Sequence, residues 1–138
     1  MRQAGCMLIV KDGLILGVSR KNDITKFGLP GSKVDGNETQ EEAAIRETLE
    51  ETGIKVNKCE RFFNRTELPS YPGGEEFESA TFYALDWEGE ISSTEEGDVK
   101  WLIAKELTSS SAAFPDYNSR MLNVFKQIFT KVYIKGEW

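Results

Sequence analysis

With 138 residues, 39% of them apolar and 11% aromatic, the chain can bury one hydrophobic core and is too short for two ordinary domains, so residues 1–138 read as a single domain. A formal net charge of −6 argues against a nucleic-acid duplex as partner, because no basic stripe exists to displace counterions. The absence of histidine excludes Ser-His or Cys-His nucleophilic catalysis and any His-ligated zinc, which leaves acid and base work to carboxylates.

In chain order, Ala4 to Val10 and Leu14 to Ser19 are two predicted strands, and the Asp-Gly pair of Lys11-Asp12-Gly13 suits the hairpin between them. Arg20 to Lys26 reads as a loop. A helix is predicted over Gln40 to Thr52: Thr39 can cap it, Glu42 completes a capping box, and Gly53 stops it in the left-handed conformation that glycine enters cheaply. Ile54 to Thr66 and Phe77 to Trp87 are strands, separated by a loop, Glu67 to Glu76, with two prolines and a Gly-Gly pair. Val99 to Ile103 is a short strand and Thr108 to Ser111 a loop. Met121, Leu122, Phe125, Ile128, Phe129 and Val132 give Tyr117 to Tyr133 a helical period, with the apolar stripe packed on the sheet.

Cys6 and Cys59 lie far apart in apolar, strand-like segments, as expected of reduced, buried thiols in a cytoplasmic protein rather than a disulfide. Met-Arg-Gln-Ala-Gly-Cys at the start lacks the apolar run of an export signal, and no stretch approaches the roughly 20 apolar residues that cross a bilayer. No membrane partner is expected.

The first helix carries the chemistry. At about 100° per residue, Glu47, Glu50 and Glu51 share one sector, while Ile45, Thr48, Leu49 and Thr52 fall opposite and are expected to pack. Carboxylates at these spacings repel by a few tenths of a kcal/mol each, so clustering them gains nothing unless a cation neutralises them, and hard oxygen ligands suit Mg²⁺ or Mn²⁺. The competing reading is a solvated amphipathic helix with an acidic face.

From Gly31 to Ile54 the chain resembles the Nudix signature, Gly-x5-Glu-x7-Arg-Glu-U-x-Glu-Glu-x-Gly-U with U apolar: Glu38, Arg46-Glu47, Glu50-Glu51, Gly53 and Ile54 all fall in register behind Leu29-Pro30-Gly31. Three positions depart from it, Ser32 at the first glycine, Asn37 before the first glutamate and Thr48 at the first apolar position. The resemblance implies an α/β/α sandwich with a mixed β-sheet between helices. It implies metal-dependent hydrolysis of a nucleoside diphosphate linked to another group, with Mg²⁺ or Mn²⁺ as cofactor. Gly31, through its carbonyl, Glu47, Glu50 and Glu51 become the expected metal ligands, with Arg46 orienting a glutamate by a bidentate ion pair and Glu38 a supporting acid. Arg20 and Lys33 match positions where relatives place a base against phosphate, and Glu96 resembles an outlying ligand or general base.

Phe114-Pro115-Asp116-Tyr117-Asn118 resembles the segment of MutT-type enzymes in which Asn or Asp reads a purine, so Asp116 and Asn118 are candidate base contacts or, alternatively, caps of the last helix. Pro69 is similar to a feature of ADP-ribose pyrophosphatases and Tyr71 to one of dinucleoside polyphosphate hydrolases. The expected substrate is a nucleoside triphosphate, an oxidised purine deoxynucleotide among the candidates, cleaved to monophosphate and pyrophosphate by a monomer or homodimer. ADP-ribose or a dinucleoside polyphosphate is the runner-up, and a catalytically silent nucleotide-binding module or an interaction protein with an acidic helix is the non-enzymatic alternative.

Overall fold

The computed structural model describes residues 2–67, 72–93 and 97–136. The first strand, β1 (Arg2–Leu8), is the centre of the architecture. Met7 and Ile9 enter one hydrophobic cluster and Leu8 the other, which explains why this stretch is apolar without alternation: both of its faces are covered. β1 pairs in parallel with β7 (Phe77–Glu88) and antiparallel with β5 (Gly31–Lys33), and β7 pairs antiparallel with β6 (Lys55–Glu67). The resulting mixed sheet has the order β5-β1-β7-β6.

A second, antiparallel sheet is built around β3 (Leu14–Arg20), which pairs with β2 (Val10–Lys11), β4 (Asp23–Gly28) and β8 (Val99–Leu102). The helix α1 (Gln40–Thr52) packs Ala44 into the cluster that holds Met7 and Phe82. On the other side, α3 (Pro115–Ile128) packs Met121, Leu122 and Phe125 with Leu8, joined by Ala104 and Leu107 of the short α2 (Ala104–Thr108). Helices therefore cover opposite faces of the β layer, as the sandwich requires. Among the described residues no helix is long and apolar enough to cross a membrane.

The capping box at Thr39 and Glu42 is formed, and Gly53 adopts φ 84°, so α1 begins and ends as expected. Four expectations are corrected. Residues Asp23–Gly28, with 23–26 expected within a loop, form an edge strand joined to β3 through a bulge at Ser19 and Arg20; Ile24, Thr25 and Lys26 are all exposed, so no apolar alternation marks it. Thr108 ends a helical turn instead of opening a loop. The last helix stops at Ile128, where Phe129 leaves helical geometry at φ −102°, ψ 65°. Phe129 and Val132 still pack on the second cluster, but from an irregular segment that Lys135 N–H ties to Gly13 O at 2.8 Å, which is how burial persisted beyond the helix. Finally, Leu49 is 49% exposed, and the buried residues of α1 are Gln40, Ala43, Ala44, Thr48 and Thr52, with Ile45 partly buried against the first cluster as expected.

Both thiols are unpaired and half-buried; β7 runs between the strands that carry Cys6 and Cys59, which separates them.

Candidate active site

The site starts with how closely α1 approaches the sheet. A Cβ at Gly5 would lie 2.1 Å from Gln40 O, so only glycine lets the helix N-terminus seat on β1. The buried Gln40 amide then donates to Ala4 O and Glu78 O, both at 3.0 Å, fastening the helix to two strands. With the packed face thus fixed, the acidic face turns to the loop that holds Gly31. Gly31 has φ 149°, and a Cβ there would meet Gly5 O at 2.3 Å, so this position also demands glycine. Its N–H donates to Glu51 Oε1 at 2.9 Å, bringing together two residues expected to share a metal.

Arg46 gathers the remaining acids. Its guanidinium donates to both oxygens of Glu38, from Nε at 3.0 Å and Nη2 at 2.6 Å. Nη1 donates to Glu47 Oε1 at 2.8 Å and Glu50 Oε2 at 3.3 Å, and Nη2 lies 3.3 Å from Asp35 Oδ2. The bidentate partner of Arg46 is therefore Glu38. Hydrogen bonds from Arg46 and from the Asp35 N–H hold the Glu38 carboxyl down at about 2, and the bonds to Glu38 and Glu47 raise the Arg46 pKa. Glu47 and Glu50 are both turned to this guanidinium, and among the described residues no three acidic side chains stand close enough to enclose an ion as placed. The donor set itself is all oxygen and clustered on one helix face beside a glycine loop, which suits a hard divalent cation and no softer one.

Thr48, at the signature's apolar position, is fully buried, and its Oγ1 has no hydrogen-bond partner among the described residues. Ser32, the other marked departure, sits exposed on β5 opposite Gly5.

Beside the signature loop opens a cleft of about 700 Å³. One transverse row of the mixed sheet, Lys33–Ala4–Ser79–Arg65, forms its floor: Ala4 registers with both Lys33 and Ser79, Ser79 registers with Arg65, and all four line the cleft. Leu29, Phe77, Phe114 and Tyr117 supply apolar walls. Lys33 Nζ sits 5.1 Å from the centre of the Phe77 ring, and the Arg20 guanidinium 5.1 Å from that of Phe114. Both expected phosphate-binding bases are thus held against aromatic residues of the cleft. Below them Tyr117 Oη and Thr81 Oγ1 are 2.6 Å apart and Thr81 Oγ1 and Cys6 Sγ 3.1 Å apart, a polar chain whose burial raises the pKa of Cys6 and of Tyr117.

Asp116 and Asn118 both line the cleft, in different states. Asn118 is buried, and its amide donates to Leu107 O at 2.9 Å and Ala113 O at 2.8 Å. Two carbonyl acceptors fix the orientation of the amide, so Oδ1 is the atom left to meet a ligand. Asp116 accepts from Arg65 Nη1 at 2.7 Å and Arg120 Nε at 3.4 Å, and the Arg65 bond lowers its pKa. Neither side chain caps α3, whose N-cap, Phe114, has no side-chain cap bond. Pro69, Tyr71 and Glu96 lie outside the described residues. Sequence reasoning missed Arg65, Phe77 and Phe114; no local pattern marks Arg65, because its partner Asp116 is 51 residues away.

Two β-sheets between helices, with a glycine loop facing a glutamate-rich helix beside a cleft, define an α/β sandwich. The model of the NUDIX domain matches residues 1–125, and the chain belongs to that family. It is 51% identical over 49 residues to the ADP-ribose pyrophosphatase of Methanocaldococcus jannaschii, a match covering 34% of this chain and 29% of that protein. It is 37% identical over 54 residues to a putative 8-oxo-dGTP diphosphatase of Bacillus subtilis, covering 39% of this chain and 36% of that one. These matches therefore span about a third of the relatives' length. Among solved structures, the MutT NUDIX hydrolase of Burkholderia pseudomallei superposes with a TM-score of 0.71 at 27% identity, over 86% of this chain and 95% of that one.

Proposed function

We propose that the protein is a metal-dependent pyrophosphohydrolase of nucleoside triphosphates, oxidised purine deoxynucleotides among them, releasing the monophosphate and pyrophosphate. The observation that carries this reading is the continuity of one cleft from the signature loop at Gly31–Lys33 to the buried Asn118, whose amide is held with one acceptor oxygen to offer. Phosphates belong at the first end and a base at the second. The relative named as a putative 8-oxo-dGTP diphosphatase and the fold shared with a MutT protein agree with it.

Glu47, Glu50, Glu51 and the Gly31 carbonyl would hold Mg²⁺ or Mn²⁺, which when bound lowers the pKa of water and neutralises phosphoryl oxygen charge. Arg46 keeps the acid cluster compact and partly offsets its charge until Glu47 and Glu50 are needed, with Glu38 anchoring the guanidinium from the other side. Lys33 and Arg20 neutralise the phosphate chain. The oxygen of a water molecule bonds to phosphorus, the phosphoanhydride bond breaks toward the leaving phosphate group, and the water's proton passes to a carboxylate of the cluster. Because these acids interact, their pH dependence belongs to the group.

A second reading, hydrolysis of ADP-ribose, is favoured by the relative of that activity at 51% identity. Incubation with Mg²⁺ and a panel of dGTP, 8-oxo-dGTP, the other triphosphates, ADP-ribose and diadenosine polyphosphates, with products separated by chromatography, decides between them. Monophosphate plus pyrophosphate from a triphosphate is the expected result. AMP and ribose phosphate from ADP-ribose alone would transfer the assignment to the second reading, and no turnover by folded protein would leave a silent binding module.

A further inference from the structure

Arg46 is held unequally at its two ends. Nε and Nη2 donate to the two oxygens of Glu38 at 3.0 and 2.6 Å, and Asp35 Oδ2 lies 3.3 Å from Nη2. Two parallel bonds to one carboxylate fix the plane of the guanidinium. At the other end, Nη1 divides its hydrogens between Glu47 Oε1 at 2.8 Å and Glu50 Oε2 at 3.3 Å. These acceptors also differ. The Glu47 side chain is 16% exposed, whereas that of Glu50 is 53% exposed and stands at the longer distance, so one bond is firm and the other loose.

Glu47 and Glu50 have a second claimant. Both belong to the oxygen set that would hold a hard divalent cation, and Mg²⁺ takes its oxygens at about 2.1 Å in near-ideal geometry. As they stand, the two carboxylates converge on Nη1, and among the described residues no three acidic side chains are grouped closely enough to enclose an ion. Seating a cation between them requires at least one to turn away from Nη1. A doubly charged ion on these oxygens also repels a guanidinium a few ångströms away, and partly buried charges at that range are weakly screened. Whatever Arg46 gains from the two acids is therefore subtracted from the affinity of the metal.

We propose that Arg46 is a displaceable internal counter-cation: its Nη1 competes with the divalent metal for Glu47 and Glu50, while Glu38 keeps the guanidinium docked beside the site. The inference rests on the metal-dependent reading above and concerns the regulation of the same site. It gives Arg46 the opposite sign from a residue that only prepares ligands, because Arg46 weakens metal binding. Its benefit falls to the protein before loading, when the guanidinium offsets the repulsion among Glu38, Glu47 and Glu50 and keeps α1 and the preceding loop in shape. Loading exchanges hydrogen bonds at Nη1 for metal–oxygen contacts and leaves the Glu38 end in place.

The test is metal binding without substrate. Free Mn²⁺ is titrated by its electron paramagnetic resonance signal against the wild type and Arg46→Met, which removes both charge and donors; Arg46→Gln is the second neutral variant should the first fail to fold. The variant should bind Mn²⁺ about 10-fold more tightly, the worth of two modest ion pairs. Its metal-free Tm should be lower, and the rise in Tm on adding Mn²⁺ larger than in the wild type. In 1 M KCl, where the screening length falls to about 3 Å, the ratio of the two Kd values should persist if the competition is by contact. A ratio that collapses to one in that salt would show a distant charge effect and overturn the inference, as would equal or weaker binding by the variant. Nuclear magnetic resonance of isotope-labelled arginine follows the exchange in the wild type itself: with saturating Mg²⁺ the Arg46 Nε–H signal should hold its position while the Nη1 signals move. Unmoved Nη1 signals would refute displacement. Absence of Mn²⁺ binding by every protein would overturn the metal reading and this inference together, whereas metal binding by the wild type that no neutral variant tightens overturns the inference alone.

Discussion

Replacing Thr48 by valine should stabilise the protein. Thr48 is fully buried in α1, in the packed face with Ala44 and Thr52, and its Oγ1 has no partner among the described residues. The neighbouring hydroxyl behaves differently: Thr52 Oγ1 donates to Thr48 O at 2.6 Å and accepts from Ile54 N at 3.1 Å. A desolvated hydroxyl without a bond costs about 1–3 kcal/mol. Valine has the same branched shape, exchanges that hydroxyl for a methyl group and has a similar helix propensity, so no cavity, clash or backbone term opposes the gain. The expected net is about 1–2 kcal/mol. For a chain of this size each kcal/mol moves Tm by about 3–4 °C, so Tm should rise by roughly 3–8 °C, and the urea midpoint should rise with an unchanged m-value. Thr48→Ser serves as the control; it keeps the polar group, deletes the methyl and should lose about 1 kcal/mol. Loss of stability in Thr48→Val, at or above that of the serine variant, would show that the hydroxyl is satisfied in solution and refute the reasoning.

Two further outcomes follow from the acid cluster. Glu38 is held at about 2 by Arg46, below its ordinary range, so its contribution is complete above that range and is lost as pH falls toward 2; urea midpoints measured from pH 7 to 3 should decline less steeply in Glu38→Gln than in the wild type, and parallel slopes would contradict the pairing. Glu51→Gln retains an oxygen to accept from Gly31 N–H, so the fold should survive with Tm within about 3 °C, while Mg²⁺-dependent turnover falls by about 100-fold or more; activity within threefold of wild type would remove Glu51 from the metal set.

What could be read from the chain was what depends on neighbours in sequence. The capping box, the Gly53 stop and the register of Arg46 with its acids are fixed by residues a turn or two apart, and the structure places each as expected. The Arg46–Glu38 pair also spans only eight residues. Features set by tertiary packing were silent. β4 is a polar edge strand whose pairing comes from β3 and a bulge, not from its own pattern. The apolar period past Ile128 was genuine burial, but by an irregular segment that periodicity cannot tell from a helix. Helical angle alone puts Leu49 on the packed face, whereas the close approach at Gly5 rolls the helix onto Gln40, Ala43 and Ala44. Asp116 carried a family likeness that suggested base reading, and only the fold reveals that Arg65 already holds it.

The parallel pairing of β1 with β7 carries a consequence for how the molecule is made. Arg2 registers with Phe77 and Leu8 with Tyr83, so β1 has no partner on that side during synthesis until more than 70 further residues exist. The last wall of the cleft, Phe114 to Asn118, is synthesised later still. At 5–20 residues per second, an apolar N-terminal strand waits several seconds with an open edge, and loop closure over that distance is the slow kind. Completion of the mixed sheet therefore precedes completion of the cleft, and slowing elongation between residues 60 and 80 should lengthen the window in which the nascent chain is vulnerable to aggregation and to capture by chaperones.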